Sequence, residues 1–309
     1  AEMVVGEAGM ALYRAKKNTT MGYCVFDQRM QVEVTQRLEL ENELRRALDE
    51  KKLHIAMQPI YDIETFEVHS LEVLVRWRDR KGQIIPPEKF ISIAEETGLI
   101  SHLGMWVIYE SCAQLARLRA SGEGVYYPRV SVNVSALQLM QADFVEKVAG
   151  ALKEFNLDGD SLCLEITESL VLQNMDPVKK RLAALRDMGV HLHLDDFGTG
   201  YSSLSALHTF PLDSLKIDRS FVSRLGHNSD SVEIIRAILA VAKTLHLNVV
   251  AEGIEHWFQL DHLREMGCQF GQGYLLSRPV APDWLLRSQL GGGRKPRSMK
   301  EQRLKAKVS

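Results

Sequence analysis

The chain has 309 residues, with 38 basic and 40 acidic side chains and a formal net charge of −2. That balance argues against a nucleic acid polymer as partner. No run of about 18 apolar residues predicts a membrane span, and the N-terminus does not read as a signal peptide. With 45% hydrophobic and 25% charged residues, the composition is that of a globular protein with a sizeable core. Cys24, Cys112, Cys163 and Cys268 show no CxxC spacing. They read as free thiols of a cytoplasmic domain, without a disulfide framework or zinc site.

In chain order, GMALYRAKKNTTMGYCVFD predicts a helix end, a turn and a short strand. These residues cannot make a domain alone, so the segment reads as the end of something longer. TQRLELENELRRALDEKK predicts a helix with Leu38, Leu44 and Leu48 near one face. From Leu53 onward, eight strand candidates alternate with helical segments: LHIAMQPIYDI, HSLEVLVRW, RVSVNVSA, SLCLEITES, VHLHLDD, SLKIDRS, LNVVAEGI and FGQGYLLS. One intervening helix, DPVKKRLAALRDMG, has Asp176 suited to the N-cap, Pro177 to the first helical position and Gly189 to the stop. In SDSVEIIRAILAVAKTLH, Ser229 or Asp230 suits the N-cap. Eight strand and helix alternations suggest a (β/α)8 barrel, which needs about 250 residues. An open doubly wound sheet would carry a Gly-rich first turn, and none is present. From Gly291 the tail is Gly-rich, then basic, and reads as disordered, with binding of anionic partners left open.

A barrel does chemistry where strands end. The candidate strands repeatedly place polar groups there: Glu72, Asn133, Glu165, Asp195 with Asp196, Lys216, Glu252 and Gln272. Burying several carboxylates without counter-charge costs several kcal/mol per ion. An all-oxygen donor set favours Mg²⁺ or Mn²⁺ over zinc. Neighbouring strand residues point to opposite faces, so Asp195 and Asp196 can share a centre only if the strand ends between them. Gly198 and Gly200 suit the turn that follows. Two ions about 3.5–4 Å apart are a recurring device for phosphoryl hydrolysis. Lys216 reads as a salt-bridge partner, as a positioner of water, or as both. Arg76 suits either a phosphate fork or a salt bridge. His191 and His193 share a strand face with Asp195 but lie deeper, where His193 suits a supporting contact better than ligation. Met10, Met57 and Met140 read as packing.

The motifs QPI at Gln58, EVLVRW at Glu72, SVNVSA at Asn133, LEITES at Glu165, DDFGTGYSSL at Asp195, LKIDRSFV at Lys216, AEGIE at Glu252 and GQGYLLSRP at Gln272 occur in that order. From about Thr35 to Leu290 the chain resembles an EAL domain, the cyclic-di-GMP phosphodiesterase of bacterial signalling. The resemblance implies a TIM-like barrel whose first strand is antiparallel to the rest. It implies hydrolysis of cyclic-di-GMP to linear pGpG with two Mg²⁺ or Mn²⁺ ions. One metal would be held by Glu72, Asn133, Glu165 and Asp195, and the second by Asp195 and Asp196. Lys216 would contact the attacking water, and Glu252 would act in metal or water activation. Glu255 would be a supporting acid, and Gln272 a contact in the water or metal shell. Gln58 and Arg76 would touch substrate. Glu168 would hold the loop after the DDFGTG strand, a segment linked to dimerisation, which implies a homodimer.

The name-giving triplet reads EVL here, and Val73 should point away from the metal. His193 stands where the family often has a small residue. The N-terminal segment resembles the last helix and strand of a GGDEF domain without its signature. The implied organisation is a GGDEF remnant at 1–27, a helical connector at 28–50, the EAL domain at 51–290 and a basic tail at 291–309. Upstream GGDEF and sensor domains would then belong to the parent chain. Two rivals remain open: a receptor that binds the dinucleotide without cutting it, and an unrelated histidine-rich metal hydrolase.

Overall fold

The computed structural model describes residues 2–17, 23–121, 129–172, 176–198, 207–226 and 229–285. The basic tail, Gly200 and most of the segment after DDFG lie outside these residues. The chain divides into two compact units, residues 1–53 with 77–100, and residues 54–76 with 101–309.

In the first unit, helix α1 (Glu2–Lys17) is followed by helix α2 (Gln28–Asp49). The short strand expected in YCVFD does not form, since residues 23–27 join no ladder. Asp27 instead caps α2, its carboxylate accepting from the Arg29 amide at 3.2 Å. α2 starts seven residues before the periodic stretch at Thr35 and buries Met30, Leu44 and Ala47. Strand β3 (Ile84–Ile85) precedes helix α3 (Pro87–Thr97), which buries Phe90, Ile93 and Ala94. Phe90 meets Trp77 edge to face at 5.6 Å.

The second unit contains the barrel. Its strands are β1 (Leu53–Asp62), β2 (Val68–Arg78), β4 (Arg129–Asn133), β5 (Leu162–Thr167), β6 (His191–Phe197), β7 (Ser214–Ile217), β8 (Asn248–Ala251) and β9 (Phe270–Gly271). They pair in the order β1-β9-β8-β7-β6-β5-β4-β2, and a β1–β2 pairing closes the ring. β2 and β4 through β9 run parallel around it, whereas β1 runs antiparallel to β9, pairing Tyr61 with Gly271. All eight strand candidates contribute. FGQGYLLS yields only two ladder residues before it turns.

Alternation along the strands makes two sets of side chains. Val130, Val132, Leu162, Leu164, Ile166, Leu192, Leu194, Leu215 and Ile217 are fully buried and apolar. The intervening set holds Ser70, Glu72, Ser131, Glu165, His193, Asp195, Ser214 and Lys216, also buried. Helices between the strands supply apolar faces: Phe144–Glu154 buries Phe144, Val148, Ala151 and Leu152, and Asp176–Asp187 buries Val178, Leu182 and Leu185. The second of these stops at Gly189, which has φ +86°. The Val190 amide returns to the Leu185 carbonyl at 3.1 Å. Asp176 and Ser229, expected as N-caps, are instead the first helical residues of Asp176–Asp187 and Ser229–Thr244, and Pro177 is the second. Met57 is fully buried as a packing residue should be, but Met140 is 44% exposed, contrary to the packing reading.

His191 begins β6, at the opposite end of the strand from the aspartates. Its Nε2 lies 2.7 Å from Asp160 and its Nδ1 3.5 Å from Asp213. The bond to Asp213 raises the His191 pKa above its ordinary value against the effect of burial, and Asp160 adds to the rise. A raised histidine contributes stability below its unfolded pKa of about 6.5 and loses it as pH rises through the folded value. His191→Ala is therefore expected to cost about 1–2 kcal/mol at pH 5.5 and much less at pH 8.5. Urea titrations at the two pH values check this, and an equal loss at both would refute the charged bridge.

Candidate metal centre

Lys216 sits in the four-residue strand β7, every residue of which is buried. Its side chain is 0% exposed, and four carboxylates from four other strands or strand ends surround its Nζ. Glu252 lies at 2.6 Å, Glu165 at 2.8 Å, Asp195 at 3.2 Å and Glu72 at 3.6 Å. Burial alone would pull the ammonium down, but Asp195, Glu165, Glu252 and Glu72 together hold its pKa well above the usual range. Lys216 is thus a permanent cation here, a proton donor in hydrogen bonds rather than a base.

Asp196 joins the cluster by a route the sequence reading did not foresee. β6 does not end between the aspartates but continues to Phe197. Its register against β7 shifts between Leu194 and Phe197, and Asp196 adopts φ +55°. A bulge of this kind re-aims a side chain, and aspartate tolerates the left-handed region better than most residues. As a result Asp195, Asp196 and Glu252 each offer a carboxylate oxygen within 4.8 Å of the others. Next comes Gly198 at φ +99°, where an added Cβ would fall 2.9 Å from the Phe221 ring. Both its backbone conformation and its neighbour therefore require glycine.

Glu72, at 7% exposure, connects the cluster to the amides. Asn133 Nδ2 donates to its Oε1 at 3.2 Å, and Gln272 Nε2 donates to its Oε2 at 2.6 Å. Gln272 Nε2 also lies 3.0 Å from Gln58 Oε1, while Gln58 Nε2 donates to the Ser277 carbonyl at 3.0 Å. Glu72, Asn133, Glu165, Asp195, Asp196, Lys216, Glu252, Gln58 and Gln272 are thus brought together. Val73, beside Glu72, is buried in the apolar set, so the change in the triplet leaves Glu72 in the cluster.

Glu168, Glu255 and Arg76 stand apart from the carboxylate cluster. Glu168 is buried and accepts from the Gly198 amide at 3.0 Å, holding the start of the loop after β6. Glu255 is exposed on the wall of the adjoining cavity. Arg76 donates to the Val75 carbonyl at 2.9 Å and does not line that cavity.

Five carboxylates face a single ammonium. Burial, with Lys216 opposing it, drives Glu165 well above the ordinary carboxylate range, and burial lifts Glu252 to about 8. Burial and Asp195 raise Asp196. Two buried oxygens, Glu165 Oε1 and Gln272 Oε1, accept no hydrogen bond among the described residues. Excess negative charge, all-oxygen donors and unused lone pairs fit hard divalent cations.

A cavity of about 410 Å³ opens beside the cluster. Glu72, Asp195, Glu252 and Gln272 of the cluster line it, together with Arg219, His256, Phe258 and Tyr274. The sequence reading missed these four. Their only signal is position, since each lies within a few residues of Lys216, Glu252 or Gln272. Phe258 is 39% exposed and stacks on His256, with ring centroids 5.5 Å apart and planes at 11°.

The sequence profile of the EAL domain family matches residues 41–279. The chain is 42% identical over 279 residues to the cyclic di-GMP phosphodiesterase NbdA of Pseudomonas aeruginosa, covering 90% of this chain and 35% of NbdA. It is 38% identical to the oxygen sensor protein DosP of Escherichia coli, covering 92% of this chain and 36% of DosP. The chain therefore spans little more than a third of these relatives. Among solved structures, the PaMucR phosphodiesterase in complex with c-di-GMP has 39% identity and a TM-score of 0.76, covering 80% of this chain and 99% of that one. The FimX EAL domain from Pseudomonas aeruginosa bound to c-di-GMP has 25% identity and a TM-score of 0.71, covering 78% of this chain and 96% of that one. The match across the whole barrel, with the carboxylate cluster at its strand ends, makes this chain a member of the EAL domain family.

Proposed function

We propose that the chain hydrolyses cyclic-di-GMP to linear pGpG at the Lys216 cluster, with two Mg²⁺ or Mn²⁺ ions as cofactors. The observation that carries this reading is the convergence of Glu72, Glu165, Asp195 and Glu252 on Lys216 Nζ. NbdA is named for this activity, and PaMucR has been seen with the dinucleotide bound. Glu72, Asn133, Glu165 and Asp195 would hold one ion, and Asp195 with Asp196 the other. When bound, such ions would supply charge neutralisation at phosphorus and lower the pKa of a bound water.

The protein's own groups do the rest. The ammonium of Lys216 donates toward the attacking water and, with its fixed charge, favours charge developing on the phosphoryl oxygens. Gln272 and Gln58 form an amide pair lining the cavity, suited to hydrogen-bonding a phosphate or ribose. Water adds to phosphorus, the P–O3′ bond breaks, and the proton the water gives up ends on the departing 3′-oxygen. Glu255 is a supporting acid on the wall, and Glu168 keeps Gly198 in place. Arg76 would have to turn from the Val75 carbonyl to reach a phosphate. A homodimer completes the proposed assembly.

The direct test is conversion of cyclic-di-GMP to pGpG by the purified chain with Mg²⁺ or Mn²⁺, followed by chromatography. Tight nucleotide binding without product under both metals would favour the receptor instead. The cavity adds a second expectation. Base stacking on an aromatic side chain contributes about 1–3 kcal/mol, so Phe258→Ala should raise KM roughly tenfold with little change in kcat. An unchanged KM would remove Phe258 from the base-binding surface.

A further inference from the structure

His193 and Glu165 are register partners across the β5–β6 ladder. Their side chains are 2% and 0% exposed. His193 Nδ1 lies 4.0 Å from Glu165 Oε1. Neither atom has a hydrogen-bond partner among the described residues. Leaving a buried polar atom unpaired costs about 1–3 kcal/mol, and here two complementary orphans face each other, about 1 Å beyond hydrogen-bond reach. The second oxygen of Glu165, Oε2, is already held by Lys216 Nζ at 2.8 Å.

We propose that His193 is a positioning residue for the metal centre, its Nδ1–H donating to Glu165 Oε1 so that His193 and Lys216 grip the carboxylate from its two oxygens. The inference rests on reading Glu165 as a metal ligand. With a cation bound the carboxylate is ionised and only accepts, so the ring must then carry its proton on Nδ1. Each Glu165 oxygen keeps a lone pair for that cation. His193 itself is not a ligand in this arrangement, because its Nδ1 is committed to a carboxylate. Outer contacts of this kind orient metal-binding side chains, and their loss weakens metal affinity about 10–100-fold.

The test compares Mn²⁺ binding by calorimetry in the nucleotide-free chain and three variants. His193→Asn places an amide donor near the position of Nδ1, His193→Gln places it near Nε2, and His193→Leu fills the space without a donor. The expected order of affinity is wild type, then Asn, then Gln and Leu together, with Leu about 10–100-fold weaker than wild type. An Asn variant no better than Leu would overturn the proposal. Ring ¹⁵N shifts of His193 in the wild-type chain with Mg²⁺ added need no variant: an Nδ1–H tautomer is expected, and Nε2–H would overturn it. Wild-type chain that binds no Mn²⁺ would defeat the metal reading, while the tautomer still decides the contact between His193 and Glu165.

Discussion

Replacing Lys216 with methionine is expected to reduce cyclic-di-GMP hydrolysis by at least 10²–10³-fold in kcat, the range found when one preorganised donor is removed from a reacting centre. The side chain is fully enclosed, and its Nζ lies within 3.6 Å of four carboxylates from different parts of the barrel. Methionine preserves the length and removes the charge, so apolar packing is largely retained. What remains is a group of buried carboxylates with no internal cation. Removing one partner from a buried ion pair commonly costs about 3–5 kcal/mol, and here the shortfall should make the variant more dependent on added divalent cation for its stability. Turnover assays with pGpG detection, run alongside thermal melts with and without Mn²⁺, separate the two effects. A methionine variant with wild-type kcat would exclude Lys216 from the reaction.

The second large effect concerns metal and pH together. In the metal-free chain Glu252 is raised from 4.5 to about 8, chiefly by burial. A carboxyl raised on folding contributes no penalty below its unfolded pKa, where both states are protonated. As pH rises from about 4.5 to about 8 the unfolded chain loses that proton and the folded chain keeps it, so folding stability falls. The rises at Glu165 and Asp196 have the same sign. Metal-free protein should therefore melt progressively lower across that window. A divalent cation that binds only the folded state stabilises it by about 2.7 kcal/mol at a hundred times its Kd, and its effect should grow with pH as carboxylates ionise. Chelation should abolish hydrolysis, and Mg²⁺ or Mn²⁺ should restore it. Glu165→Gln should remove most of the metal-induced stabilisation while raising the melting temperature of the metal-free chain at pH 8. Melting temperatures that do not respond to metal at any pH would contradict the assignment of this cluster.

Much of this was legible in the linear chain, and for a simple reason. Strand period and helix period are local, so alternation in RVSVNVSA or VHLHLDD marks a strand without any knowledge of its neighbours. Each of the eight strand segments carries a carboxylate, amide or ammonium group, and a barrel that gathers its strands around one axis can gather those residues too. Glu72, Asn133, Glu165, Asp195, Lys216, Glu252 and Gln272 were accordingly visible as one constellation, and their ordered motifs also carried the resemblance to the EAL family.

What only the tertiary structure decided depends on interactions between distant segments. The reversed direction of β1 is set by its pairing with β9, more than two hundred residues away. Asp196 reaches the centre through a bulge and a left-handed backbone conformation, neither of which the strand period can express. His191 and His193 look equivalent in H-x-H-x-D, yet one is tied to Asp160 and Asp213 at the strand's start and the other faces Glu165 beneath the carboxylates. Periodicity assigns a side chain to a face of its strand. Only the packed barrel determines how far along that face it lies, and so which charges it meets.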